Sequence, residues 1–159
     1  MSTEPNKELM VIAANLAEEN VLRGTGGPFG ALIVRNGEIV AQAANNVIAG
    51  NDPTAHAEVE AIRAACRKLE TFDLSGCEIY TSCEPCPMCL SAIYWARLDK
   101  IYYAGTRHDA AAIGFDDEHI YQELALPMDK REVPIELLWV PEVVKGFRAW
   151  MDKEDRTRY

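Results

Sequence analysis

The stretch "CEIYTSCEPCPMCLSAIYWAR", residues 77–97, decides how the chain is read. Its first part, CEIYTS, predicts a strand. Its second part, EPCPMCLSAIYWAR, predicts a helix entered through Pro85, since proline suits the first turn of a helix. Three cysteines, Cys83, Cys86 and Cys89, fall at three-residue intervals across the junction. A strand that passes straight into a helix is the repeating step of an α/β domain.

The flanking sequence repeats that step. Upstream, Leu9, Ile12, Ala13, Leu16 and Ala17 follow helical spacing, so residues 5–22 predict an amphipathic helix. A glycine-rich loop, RGTGGPFG, ends it. "ALIV" and "IVAQAA" on either side of "RNGE" predict a hairpin, with Asn36-Gly37 suited to a type I′ turn. In "AGNDP", Asp52 is a candidate cap and Pro53 a candidate first position for a helix over 53–70. Ala55, Val59, Ile62, Cys66 and Leu69 are its expected buried stripe. Downstream, KIYYAG predicts a fourth strand and RHDAAAIGFDDEHIYQELA short helical pieces around Gly114. PIELLWV predicts a fifth strand, and the chain closes on a helix with a charged tail. No repeat, low-complexity run or linker interrupts residues 1–159. One α/β domain is expected, with helices on both faces of one sheet.

Composition narrows the partners. With 159 residues and 48% hydrophobic residues the chain can bury a substantial core. The polar start "MSTEPNKE" does not read as a signal peptide, and no apolar stretch is long enough for a bilayer. The cytoplasm is the expected compartment, where thiols stay reduced. Five cysteines there favour metal or catalysis over disulfides. The net charge is -9 and the pI about 4.8. The longest basic clusters are the pairs Arg67-Lys68 and Lys130-Arg131, so no extended nucleic-acid surface and no membrane partner is expected.

The cysteines point to a metal. Cys66 and Cys77 read as small buried hydrophobes, so a four-thiolate cluster lacks a member and another ligand must come from elsewhere. Of the three histidines, His56 sits near the start of a predicted helix. Cys86 and Cys89 sit in the first turn of another, three apart and on one face. A helix start also favours the thiolate form. His56 with two thiolates gives three ligands to zinc and leaves the fourth position for water, as in catalytic sites. Glu58 falls on the inward face of its helix, where a carboxylate is costly without a task. It is a candidate proton shuttle. His56-x-Glu58 followed by Pro85-Cys86-x-x-Cys89 is the pattern of zinc nucleobase deaminases. Cys83 is left over as a strand-end thiol, because a fourth protein ligand would close the metal. A merely structural zinc would not need Glu58.

The whole chain resembles the cytidine deaminase-like superfamily, and within it the bacterial guanine deaminases. "GGPFGA", "NNVIAGNDPTAHAEV", "CEIYTSCEPCPMCLSAIYWAR", "GFDD", "IYQE" and the terminal Tyr159 carry the resemblance. It implies a three-layer α/β/α fold on a mixed five-stranded sheet, and one zinc per subunit held by His56, Cys86 and Cys89. It implies hydrolysis of guanine to xanthine and ammonia in purine catabolism and salvage, with Glu58 moving the protons. By the same resemblance Asn45 binds the purine edge, Phe29 stacks on the base, Trp95 lines the pocket and Asp117 accepts from the base's N–H groups. Residues 145–159 would cross to the partner of a domain-swapped homodimer, where Tyr159 would help close the other site. Guanosine, cytosine or ammeline are alternative substrates. A tRNA adenosine deaminase would share the zinc pattern, but the acidic pI argues against it.

Overall fold

Asn36 and Gly37 carry φ of 53° and 81°, the two positive values a type I′ turn requires. They join β1 (Gly30–Arg35) to β2 (Glu38–Ala44) in the predicted hairpin. On its other side β1 pairs antiparallel with β3 (Glu78–Cys83), and β3 pairs parallel with β4 (Lys100–Gly105). The sheet order is β2-β1-β3-β4. The computed structural model describes residues 4–159; the first three residues of the expected 1–159 domain lie outside the described residues.

Successive side chains of a strand point to opposite faces, and β1 makes both faces core. Ala31 and Ile33 pack with Ala57, Ala61 and Ala65 of α3 (Ala57–Leu69) and with Ile93 of α4 (Pro87–Trp95). Leu32 and Val34 pack with Leu9 and Ala13 of α1 (Lys7–Leu22) and with Tyr80 of β3. Helices therefore cover both faces of a mixed sheet, giving the three layers expected.

Two helices begin later than the sequence suggests. Asp52 does not cap a helix; its Oδ1 accepts the backbone N–H and hydroxyl of Thr54 at 2.8 and 2.7 Å, closing a local turn. That turn follows α2 (Val47–Gly50) and is held by Asn46 N–H donating to Ala55 O at 2.8 Å. α3 starts after it, with His56 as N-cap. Its fully buried positions are Ala57, Glu58, Ala61 and Ala65, while Ile62, Cys66 and Leu69 flank them. Small side chains let this helix lie close on the sheet. In the same way α4 is entered through Pro87 rather than Pro85, with Cys86 as N-cap.

After β4 come α5 (Arg107–Ala112), α6 (Asp117–Ala125), a 3-10 turn at Met128–Lys130 and α7 (Val143–Asp152). The chain divides into two compact units, one ending at Tyr121 and one running from Gln122 to Tyr159. In the second, the Arg131 guanidinium donates to the carbonyls of Glu123, Leu124 and Leu126. Residues 134–140, expected as a fifth strand, form none; among the described residues the sheet has four. PIELLWV opens on a proline and breaks the alternation a half-buried strand needs. An apolar run becomes a strand only where a neighbouring backbone pairs with it, and here Leu137 and Leu138 are both 90% exposed. No helix among the described residues is long and apolar enough to cross a membrane.

Candidate active site

Two helix starts meet at one point. His56 and Cys86 are both N-caps with extended backbone, φ/ψ of -67°/155° and -65°/168°. The His56 Nδ1 lies 3.6 Å from the Cys86 Sγ and 3.4 Å from the Cys89 Sγ. The three ligand atoms fall within 4.8 Å of one another. One imidazole nitrogen and two sulfurs, two of the three residues buried, are a donor set suited to zinc.

The electrostatics of this cluster are coupled. A hydrogen bond from the Cys89 thiol, with a further one from His56, lowers the Cys86 thiol to about 4. Cys89, donating to that sulfur from a buried position, is held in its protonated form well above the usual thiol range. The bond to Cys86 raises His56. Cys83 makes a different environment. Burial pushes its thiol up to about 12, and it donates to Thr106 O at 3.6 Å. It lines the adjoining cavity as a neutral thiol.

Glu58 sits in the first turn of α3, 6% exposed. Its Oε1 lies 3.3 Å from the Thr81 hydroxyl and its Oε2 accepts from the Cys89 thiol at 3.5 Å. Burial raises its pKa. The carboxylate thus stands beside the sulfurs without being part of the three-atom cluster.

A cavity of about 300 Å³ opens from this point. His56, Glu58, Cys83 and Cys86 form its floor, and Asn45, Phe29 and Asp117 line its walls. Burial, then the neighbouring Cys86 sulfur, raises the Asp117 carboxyl. Trp95 is elsewhere: it ends α4, 63% exposed, and is not among the lining residues. Tyr159 belongs to the second unit, 71% exposed, its ring 6.3 Å from that of Trp150 and nearly perpendicular to it.

Sequence reasoning missed three contributors. Phe115 lines the cavity and meets Phe29 edge-on, centroids 4.7 Å apart; it lies within the GFDD run, where only the acids drew notice. Tyr121 donates its hydroxyl to Pro85 O at 2.6 Å, just before Cys86. Arg107 lies over the Tyr121 ring at 4.3 Å and reaches Glu118 at 3.0 Å, while its backbone N–H donates to Glu84. Together they brace the loop that presents Cys86.

Residues 3–105 match the family described as the cytidine and deoxycytidylate deaminase zinc-binding region. The chain belongs to that family. Zinc is the family's metal, and the cluster above fits it. Among relatives, the chain is 50% identical over 147 residues to the guanine deaminase of Bacillus subtilis strain 168, covering 92% of this chain and 94% of that one. An X-ray structure of guanine deaminase from Bacillus subtilis superposes with a TM-score of 0.93 at 47% identity, covering 98% of this chain and 99% of the other. A tRNA-specific adenosine deaminase of Aquifex aeolicus is 49% identical, but over 77 residues, 48% of this chain and 51% of that one.

Proposed function

We infer that this chain is a zinc-dependent hydrolase of cyclic-amidine C–N bonds, converting guanine and water to xanthine and ammonia in purine catabolism and salvage. The observation that carries this is the reach of the likeness to guanine deaminase. It extends over 92% of the chain, far past the zinc-binding region that ends at residue 105.

In this reading His56, Cys86 and Cys89 hold one zinc per subunit. Zinc bound there supplies Lewis acidity and brings the pKa of a coordinated water toward neutrality. Glu58 does the proton work: it moves one proton of the attacking water to the purine N3, then takes the second from the oxygen now on C2 and passes it to the 2-amino group, which leaves as ammonia. Its burial, which raises its pKa, suits a group that must both accept and donate near neutral pH. Phe29, with Phe115 against it, offers an aromatic wall to the base. Asn45 and Asp117 supply a donor and an acceptor for the purine edge.

The span 1–159 works as one deaminase domain in a homodimer in which residues 145–159 cross to the partner. Trp95 and Tyr159 then close a substrate site from positions that are 63% and 71% exposed in the single chain. Large exposed apolar side chains such as Tyr94, Leu137 and Leu138 favour a protein partner. Its work is in the cytoplasm, where its five free cysteines stay reduced.

The test is ammonia release by the zinc-loaded enzyme from guanine, guanosine, cytosine, cytidine, ammeline and adenine. Guanine is the expected substrate, with turnover down by about 10²–10⁴ in Glu58→Gln and zinc retained. Guanosine preferred over guanine would overturn the substrate assignment, and zinc-loaded protein inert to all six would overturn the reaction.

A further inference from the structure

Asn20 takes no part in the chemistry above, yet it is a buried polar side chain near the end of α1, 7% exposed. Buried amides need partners for every hydrogen-bonding group. The Nδ2 of Asn20 donates to two backbone carbonyls, Gly27 O at 2.9 Å and Asn45 O at 2.8 Å. Its Oδ1 accepts the Thr25 hydroxyl at 2.5 Å. With both amide protons and the oxygen engaged, only one orientation of the carboxamide fits.

The two carbonyls belong to two walls of the cavity: the glycine loop before Phe29, and the turn after β2 that carries Asn45. A second set of bonds locks the same corner. The Asn45 Oδ1 accepts the backbone N–H of Val47 at 3.2 Å and of Gly27 at 3.4 Å. Two N–H groups on its oxygen leave the Asn45 amide nitrogen as the atom to offer a ligand. The corner closes only because residue 26 is glycine. A Cβ there would stand 2.2 Å from Asn45 O and 2.9 Å from Asn20 Nδ2.

We propose that Asn20, oriented by Thr25, is a positioning residue for base recognition: it clamps the glycine loop to Asn45, so that Asn45 presents an N–H donor and selects a base with an acceptor at that place. This rests on the reading of the cavity as a guanine site. Asn20 touches no substrate itself; it acts through Asn45.

The experiment is steady-state kinetics on guanine with the zinc-loaded holoenzyme and its Asn20→Ala, Thr25→Val and Thr25→Ser variants, each with zinc content and Tm measured. KM should rise about tenfold in Asn20→Ala, the worth of one misdirected hydrogen bond. The change in kcat should stay below about threefold, because the reacting groups are untouched. Zinc content should stay at that of the wild type. Thr25→Val should raise KM in the same direction and Thr25→Ser should restore it. A fall in Tm with KM unchanged, or a loss confined to kcat, would reduce Asn20 to a structural role and overturn the proposal. If Asn20→Ala does not fold, the Thr25 pair decides: equal KM for valine and serine overturns it. A wild-type enzyme without guanine turnover overturns the substrate reading first and this inference with it, before any variant is made.

Discussion

At the start of α4, Cys86 caps its own helix: its sulfur accepts the backbone N–H of Cys89 at 3.5 Å. At the start of α3, His56 holds the same N-cap position with nearly the same backbone angles, but its side chain makes no cap hydrogen bond. The difference assigns the two helix ends different tasks. The sulfur draws on the α4 dipole and on a backbone donor, both of which favour a thiolate. The imidazole leaves its helix start to the acidic first-turn residues Glu58 and Glu60 and turns toward the two sulfurs. In the proposed site one end is a ligand and a cap at once; the other is a ligand only.

The largest expected effect separates those roles. Cys86→Ala removes both, while Cys86→Ser keeps an oxygen cap but not the soft donor. Both variants should lose more than about a hundredfold in zinc affinity, seen as zinc content after dialysis, and with it their activity. The metal-free serine protein should be about 1 kcal/mol more stable than the metal-free alanine protein in denaturant unfolding. Equal stabilities would break the comparison, because the sulfur would then not be capping α4.

A smaller effect is the titration of the metal-free protein. Hydrogen bonds from Cys89 and then His56 lower the Cys86 thiol to about 4, against 9.0 for an ordinary thiol. A group whose folded pKa is depressed stabilises the fold in full above its unfolded value, and that contribution is lost as pH falls through the folded one. One thiolate should therefore persist in the chelated protein below neutrality, read by its ultraviolet absorbance, and vanish in Cys86→Ser. Full protonation already at neutral pH would mean that the hydrogen bonds from Cys89 and His56 do not hold the sulfur as a thiolate.

The smallest effect comes from an ordinary cap. The Asn6 Oδ1 accepts the Glu8 N–H at 2.9 Å at the start of α1 and has no second duty at a metal. Asn6→Ala should cost about 1 kcal/mol of stability and leave guanine turnover unchanged. A change in turnover would mean that helix starts far from the cluster also tune it.

Where chemistry is local, the sequence was readable. Asn36-Gly37 announced its hairpin because few other residues accept two positive φ angles in a row. Cys86 and Cys89 could be paired because three residues on a helix is one face. Glu58 could be placed inward from its neighbours' spacing. What failed depended on contacts between distant segments. Asp52-Pro53 is as good a helix start as any until the Asn46–Ala55 bond ends the turn there. Residues 134–140 have the apolar content of a strand but neither its alternation nor a paired backbone. Phe115, just before α6, and Tyr121, on it, became visible only when folding brought them against Phe29 and Pro85. Asn20 drew no notice in the sequence; its worth lies in two carbonyls that α1 meets only after folding.

The register of the sheet sets a timetable. The β1–β2 hairpin closes through a two-residue turn, but β1 also pairs Ala31 with Thr81, about fifty positions on. His56 lies midway along the segment that this pairing must first draw in, and Cys86, 30 residues further on, lies just past its end. Contacts so far apart in sequence form late, after the local ones. The thiol pair of one helix start and the imidazole of the other are thus expected to meet only once the sheet has closed, so that the full set of three donors is completed late in folding.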